Sequence, residues 1–259
     1  MGSAMTAYEP DWTVLPSELG APPRAVAGLI ALANDSGIED DFRAWLDGSG
    51  IKIATTRVFT PAVSNISDFQ ALEGKLGDAT VLLMPQSDLD WVAFGCTSAT
   101  VAMGVAATHK AIQKGRPGVG ISDPISATLA ALDYLRCRRI ALITPYRPAI
   151  NVAVEKFLLE AGIKLVAKGC FPLDTDRERS RLTSDTIIKI IEDFVDGLSV
   201  DGIFIACTAL QTVAVVDELE RRTGKPVVTS NQALAWHTVK ACGVKFPFSE
   251  GKGFLFSRS

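Results

Sequence analysis

Two of the five cysteines in this 259-residue chain stand in matching surroundings. Cys96 closes the run Asp90-Trp91-Val92-Ala93-Phe94-Gly95-Cys96-Thr97, and Cys207 closes Asp201-Gly202-Ile203-Phe204-Ile205-Ala206-Cys207-Thr208. Each thiol ends a short apolar run that reads as a strand, and small hydroxyl residues and a helical pattern follow. A single thiol proves little. Two in the same local frame can face one pocket from opposite sides, one as base and one as acid, which suits proton transfer on both faces of a carbon. Gly95 and Ala206 leave room beside the sulfurs. The amides of Thr97, Ser98, Thr208 and Ala209 are expected to open helices whose positive ends hold a carboxylate and favour thiolate over thiol. Removing a proton next to a carboxylate creates an enediolate, whose charge needs preorganised donors. The hydroxyls of Thr97, Ser98, Thr208 and Tyr146 and the amide of Asn34 are the candidates.

The repeat extends beyond the thiols. Gly50-Ile51-Lys52-Ile53 recurs as Gly162-Ile163-Lys164-Leu165 at nearly the offset that separates the two cysteines, and the same shift carries 28–32 onto 140–144 and Asn34 onto Tyr146. A period this long indicates two fused units rather than a solenoid. Strands are expected at 26–32, 51–58, 80–84, 91–94 and 119–121, then at 140–144, 164–168, 202–205 and 227–229, with second-half helices at 149–160, 184–196 and 209–222. Alternating strands and helices imply parallel sheets. The expected fold is therefore α/β: two duplicated Rossmann-like parallel-sheet domains related by a pseudo-twofold, with the active site in the cleft between them. The first half spans 24–125, completed by the C-terminal segment 230–245, and the second spans 126–229. Ligands of such sheets collect beyond the carboxyl ends of the strands, where Asn34, Cys96, Ser122, Tyr146, Cys207 and Ser230 all fall.

Composition restricts the alternatives. With 47% hydrophobic residues the chain can fill two compact cores, and a net charge of −3, with Lys and Arg mixed among acids, provides no basic face for nucleic acid. No stretch is apolar for long enough to span a bilayer and no secretory signal opens the chain, so no membrane partner is expected and the cytoplasm is the default location. Met1-Gly2-Ser3-Ala4 before Met5 reads as an appended remnant. Pro10, Pro16, Pro22 and Pro23 mark an extended leader. An odd number of cysteines without an export signal argues for reduced thiols, and His109 and His237 are not at zinc-ligand spacing from any cysteine, so no metal is expected. Cys137, Cys170 and Cys242 have no counterparts in the repeat and read as small buried side chains. Arg136-Cys137-Arg138-Arg139 reads as a helix C-terminus meeting a strand. Asn34 serves equally as a cap for a helix over 36–45 or as a ligand contact. Arg177-Glu178-Arg179-Ser180-Arg181 reads as a solvated loop or helix start, from which one arginine can reach a substrate carboxylate.

The paired cysteine motifs and duplicated halves resemble the aspartate/glutamate racemase superfamily. Ala31-Leu32-Ala33-Asn34-Asp35-Ser36-Gly37-Ile38-Glu39-Asp40-Asp41-Phe42, Phe94-Gly95-Cys96-Thr97-Ser98-Ala99-Thr100 and Thr144-Pro145-Tyr146 followed by Asn151 are similar to the maleate isomerase and arylmalonate decarboxylase branch, and closest to the ectoine-utilisation racemase-like proteins. Val228-Thr229-Ser230-Asn231-Gln232-Ala233 resembles that branch's closing strand. The resemblance implies cofactor-independent catalysis by Cys96 and Cys207, with Asn34, Thr97, Ser98, Tyr146, Asn151, Thr208 and Ala209 around the substrate, and it implies self-association as a homo-oligomer. Glutamate racemases usually carry Cys-Asn-Thr and Cys-Thr-His where this chain has Cys96-Thr97-Ser98 and Cys207-Thr208-Ala209, and arylmalonate decarboxylase has glycine in place of the first cysteine. The expected function is a racemase or isomerase of a small carboxylate or amino-acid derivative. The alternatives are maleate cis-trans isomerisation through a covalent cysteine adduct, arylmalonate-type decarboxylation, and a non-catalytic carboxylate sensor.

Overall fold

The computed structural model describes residues 15–245 and 251–257. Residues 1–4 and Pro10 lie outside that range, while Pro16, Pro22 and Pro23 belong to an exposed stretch without regular secondary structure that leads into the first strand. The first half runs β1 (Ala25–Leu32), α1 (Ile38–Leu46), β2 (Ile51–Val58), α2 (Ile66–Gln70), α3 (Glu73–Val81), β3 (Trp91–Gly95), α4 (Thr97–Met103), α5 (Val105–Gly115), β4 (Gly120–Ser122) and α6 (Pro124–Tyr134). The second runs β5 (Arg139–Thr144), α7 (Pro148–Glu160), β6 (Lys164–Cys170), α8 (Asp176–Arg179), α9 (Ser184–Val195), β7 (Gly202–Ile205), α10 (Val213–Thr223) and β8 (Val227–Thr229), followed by α11 (Ser230–Ala241) and α12 (Gly253–Ser257).

The strands form two four-stranded sheets of the same order, β2-β1-β3-β4 and β6-β5-β7-β8, with every pairing parallel. Equivalent registers recur: Ile30 pairs with Phe94 in the first sheet and Leu142 with Phe204 in the second. Parallel strands covered on both faces read as continuous apolar runs, and Leu29, Ile30, Phe94, Ile203, Phe204 and Ile205 are fully buried. Each such side chain contributes about 1.5–3 kcal/mol through removal from water. The order places β1 and β3, or β5 and β7, at the centre of each sheet, so both cysteines follow central strands.

Two expectations change. The apolar run 80–84, expected as a strand, is the end of α3 and the turn after it: the Thr80 hydroxyl bonds to the Leu76 carbonyl one turn back at 2.6 Å, and Leu83 packs at Gly28 on the sheet face. Val81 and Leu82 are left exposed, and over so short an apolar run periodicity does not separate helix from strand. The helix expected at 209–222 starts only at Val213, because residues 207–212 are drawn toward the first half. The Asp41 carboxylate of α1 accepts from the amides of Thr212 and Val213 at 2.9 and 3.1 Å and from the Thr212 hydroxyl at 2.9 Å, capping α10 from across the molecule.

Helix α11 follows β8 of the second sheet but packs on α1, α6 and β3 of the first, with nearly all of its first seven residues fully buried. Trp45 of α1 stacks on Phe256 of α12, at 5.6 Å between ring centroids. Among the described residues no helix is long and apolar enough to cross a membrane, and no group of three His, Cys, Asp or Glu side chains is arranged to hold a metal ion.

Candidate active site

Cys96 is the N-cap of α4, in extended backbone at φ −155° and ψ 110°. Its sulfur accepts from the Ala99 amide at 3.4 Å and lies 3.5 Å from the Ser98 hydroxyl. Cys207 is held differently. Its φ of 104° lies in the region that favours glycine, its own amide donates to the Ser230 hydroxyl at 3.0 Å, and the preceding amide of Ala206 donates to Ile143 on the neighbouring strand at 2.8 Å. The Ala209 amide also acts on the Cys207 sulfur.

The two thiols line one chamber, together with Asp35, Thr97, Ser98, Tyr146, Asp176, Arg179 and Thr208 and an apolar wall including Leu32, Phe69 and Ile150. Its free volume is only about 20 Å³, room for about one water molecule. Arg179 forms the lid side: its guanidinium lies 5.7 Å from the centre of the Tyr146 ring, pairs with Asp176 at 2.7 Å and donates to the Leu173 carbonyl at 2.9 Å. Arg177 and Arg181 face solvent, so one arginine of the charged run enters the site. The segment carrying α8 is also tied to the first half by a hydrogen bond of 3.1 Å between the hydroxyls of Ser36 and Ser180.

Burial dominates the electrostatics. Both thiols are pushed up to about 12, chiefly by desolvation, and the donors around each sulfur oppose this only in part. The expectation that helix ends leave one thiol ionised at rest is corrected: α10 starts too late to act on Cys207, and at Cys96 the loss of water outweighs the helix end. The Tyr146 phenol is raised by burial and then by the neighbouring thiols of Cys207 and Cys96. Asp35 is raised to about 6 by burial and by Asp176, although its carboxylate accepts from the amides of Gly37 and Ile38, both at 2.9 Å, and from Thr208 at 3.2 Å.

The residues singled out from sequence separate into two groups. Cys96, Cys207, Thr97, Ser98, Tyr146 and Thr208 meet in the chamber, and Ala209, fully buried, contributes through its backbone amide. Asn34 goes elsewhere: it is exposed, its amide donates to the Thr60 carbonyl at 3.0 Å, and Asp35 beside it takes the first amides of α1. Asn151 binds the Thr144 hydroxyl and the Tyr146 carbonyl, the latter at 2.9 Å, so it braces the Tyr146 loop from outside the chamber. Ser122 receives the Trp91 indole N–H and pairs with His237, each at 2.7 Å, while His109 pairs with Asp123 at 2.9 Å. Gly95 makes room for Ile38 rather than for a ligand. Cys137 is buried as expected, but Cys170 is exposed, donating to the Tyr146 carbonyl at 3.1 Å, and Cys242 is half-buried.

Sequence reasoning passes over two acidic residues of the chamber, Asp35 and Asp176. For Asp35 the signal is the Asx-turn pattern Asp35-Ser36-Gly37, in which the carboxyl accepts from the amides that follow. Gly37 is required there because a Cβ would approach the Ala209 carbonyl to 2.9 Å.

Two sheets of the same order, each with a cysteine closing its third strand, define a duplicated α/β protein of the aspartate/glutamate racemase kind. The profile of the arylmalonate decarboxylase family matches residues 92–256, and the chain belongs to that family, within the branch it shares with the maleate isomerases. Over 242 residues it is 30% identical to the arylmalonate decarboxylase of Bordetella bronchiseptica, covering 92% of this chain and 95% of that one. It is 22% identical to the maleate isomerase of Pseudomonas putida over 70% of this chain and 74% of the relative. Its fold is that of the Nocardia farcinica maleate cis-trans isomerase, solved with a covalently bound succinylcysteine intermediate, at a TM-score of 0.79 and 19% identity, covering 90% of this chain and 98% of that one.

Proposed function

We propose that this protein is a cofactor-independent isomerase of a small carboxylate, in which Cys96 and Cys207 move a proton on and off the carbon next to the carboxylate. The observation that carries this reading is the presence of two thiols, from equivalent positions of the two halves, in one water-poor chamber. One thiolate removes the Cα proton, the electron pair passes into an enediolate, and the thiol on the other side delivers its proton to the opposite face. The protonation states of the two sulfurs have then exchanged, and the next turnover runs in reverse. Arg179 and the Tyr146 hydroxyl are the donors available to the enediolate oxygens.

A chamber of about 20 Å³ admits no substrate until its walls part, so binding requires movement of the Asp176–Arg179 turn or of one half against the other. The same opening readmits water and relieves the desolvation that holds both thiols near 12, moving them back toward the ordinary thiol range. Asp35 places a carboxyl in the chamber where a dianion such as maleate would meet repulsion, and a substrate nitrogen would meet an acceptor. This supports an amino-acid derivative over a dicarboxylate.

Cis-trans isomerisation by thiolate addition is the second reading, supported by the maleate isomerase relative and the succinylcysteine captured on the Nocardia protein. Proton exchange by NMR in deuterated water separates the two, using maleate, phenylmalonate, aspartate, glutamate, hydantoins and acylated diaminobutyrates; the last follow from the resemblance to ectoine-utilisation proteins. Exchange at the α-carbon that is lost in Cys96→Ala and in Cys207→Ala is the expected result. Conversion of maleate to fumarate establishes the second reading, decarboxylation of phenylmalonate the activity named for the Bordetella relative, and silence across the panel shifts the protein to a binding role.

A further inference from the structure

Ser230, the first residue of α11, is fully buried between the two cysteine loops. Its hydroxyl accepts from the Cys207 amide at 3.0 Å and is bonded to the Thr97 hydroxyl, next to Cys96, at 2.8 Å. The next residue reinforces the grip, because the Asn231 side-chain amide donates to the Thr208 carbonyl at 2.9 Å. The opposite crossing is also present: the Thr208 hydroxyl donates to the Gly95 carbonyl at 3.1 Å, immediately before Cys96. Thus Thr208 bonds directly to the Cys96 loop, while Thr97 reaches the Cys207 amide through the Ser230 hydroxyl.

A non-glycine residue at positive φ persists only where its surroundings over-determine it. At Cys207, the bonds to Ser230 on the amide side and to Asn231 one residue later provide that constraint, and both come from α11. We propose that Ser230 is a positioning residue: its hydroxyl sets the aim of the Cys207 thiol and couples it, through Thr97, to the loop that carries Cys96. This rests on the two-thiol reading above. Loss of the hydroxyl leaves a buried amide unpaired and lets the strained residue relax, and a displacement of a reacting atom by about 1 Å can reduce turnover about 100-fold.

The test is Ser230→Ala, read first by site-resolved alkylation with iodoacetamide, which requires no substrate. The expected result is a change of about tenfold or more in the labelling rate of Cys207 with a smaller change at Cys96, while buried Cys137 in the second-half core is unaltered, as follows from loss of a local bond. Thr97→Val leaves the Cys207 amide bonded, so it remains informative if Ser230→Ala is too unstable to purify; it should alter Cys207 labelling across the molecule. The double variant should change the rates no more than Ser230→Ala alone, the non-additivity expected of groups in one network. On a substrate found by the exchange panel, kcat should fall with KM nearly constant. A Cys207 rate within about twofold of wild type, parallel acceleration of Cys137, or independent effects of the two substitutions would overturn the proposal. Failure of the two-thiol reading would appear separately, as proton exchange that survives in the cysteine variants.

Discussion

The Cys96 and Cys207 loops come from equivalent places in a repeat, yet the backbone treats them in opposite ways. Cys96 is relaxed: extended, capping a helix that begins at the next residue, its sulfur against the first free amides of α4. Cys207 sits at φ 104°, five residues pass before α10 begins, and the intervening turn is held by Asp41 and Asn231. The first loop is shaped by its own sequence and the second by the rest of the molecule. A duplicated motif therefore repeats the position of a thiol without repeating how the thiol is held.

The largest effect should come from the thiols themselves. Cys96→Ala and Cys207→Ala should each reduce α-proton exchange by about 10²–10⁴-fold, the range for loss of a general acid or base. A loss confined to one variant would break the functional equivalence of the loops and leave a one-thiol mechanism.

Asp35 acts on the Cys207 thiol through its charge, and its raised pKa has a stability consequence. Because folding raises this carboxyl from its ordinary range to about 6, its contribution to stability is fully present below about pH 4 and is lost as the pH rises to 6. Asp35→Asn should therefore gain stability relative to wild type between pH 4 and pH 8, by about 3 kcal/mol for a shift of about two units, as followed by urea unfolding at the two pH values. A pH-independent difference would mean that Asp35 is not desolvated.

Asp41→Ala removes the carboxylate that caps α10 and binds Asn231, and should cost about 2–3 kcal/mol. It sharpens the contrast, because iodoacetamide labelling of Cys207 should accelerate while that of Cys96 stays near its wild-type rate. The smallest effect is the most specific. At 207, glycine should be more stable than alanine by about 1 kcal/mol, because only glycine adopts the positive φ without strain; at 96 the order should invert, since extended backbone gives glycine no advantage. Equal ranking at both positions in thermal unfolding would remove the asymmetry.

Much of the architecture was legible from periodicity. The strands from β1 to β8 fall within about two residues of the segments expected for them; the central ones are aliphatic runs because they are buried on both faces, whereas the edge strands β2 and β6 are only partly buried and carry polar residues. The run 80–84 failed as a strand because a short apolar run has no period of its own: α3 ends within it, Val81 and Leu82 are left exposed, and Leu83 packs on the sheet. In the chamber, Cys96, Cys207, Thr97, Ser98, Tyr146 and Thr208 were visible through the repeat. Asn34 was displaced by one position: its amide reaches Thr60, and the carboxyl next to it faces the thiols. Alternation along an irregular turn has no fixed period, so no spacing rule distinguishes the two residues. Nor did anything distinguish Arg179 from Arg177 and Arg181 until α8 folded and turned one of the three inward.

By itself, the sequence determined the duplication, the parallel order of each half and the presence of a thiol at the end of a central strand in both, since these follow from apolar periodicity and local repetition. The tertiary structure alone decided how each thiol is held, which acidic and basic side chains face them, and that burial keeps both protonated at rest. Those properties depend on contacts between residues more than a hundred positions apart, such as Thr97 with Ser230, Thr208 with Asp35 and Asp41 with Thr212, and no local pattern in a chain encodes which distant partner arrives.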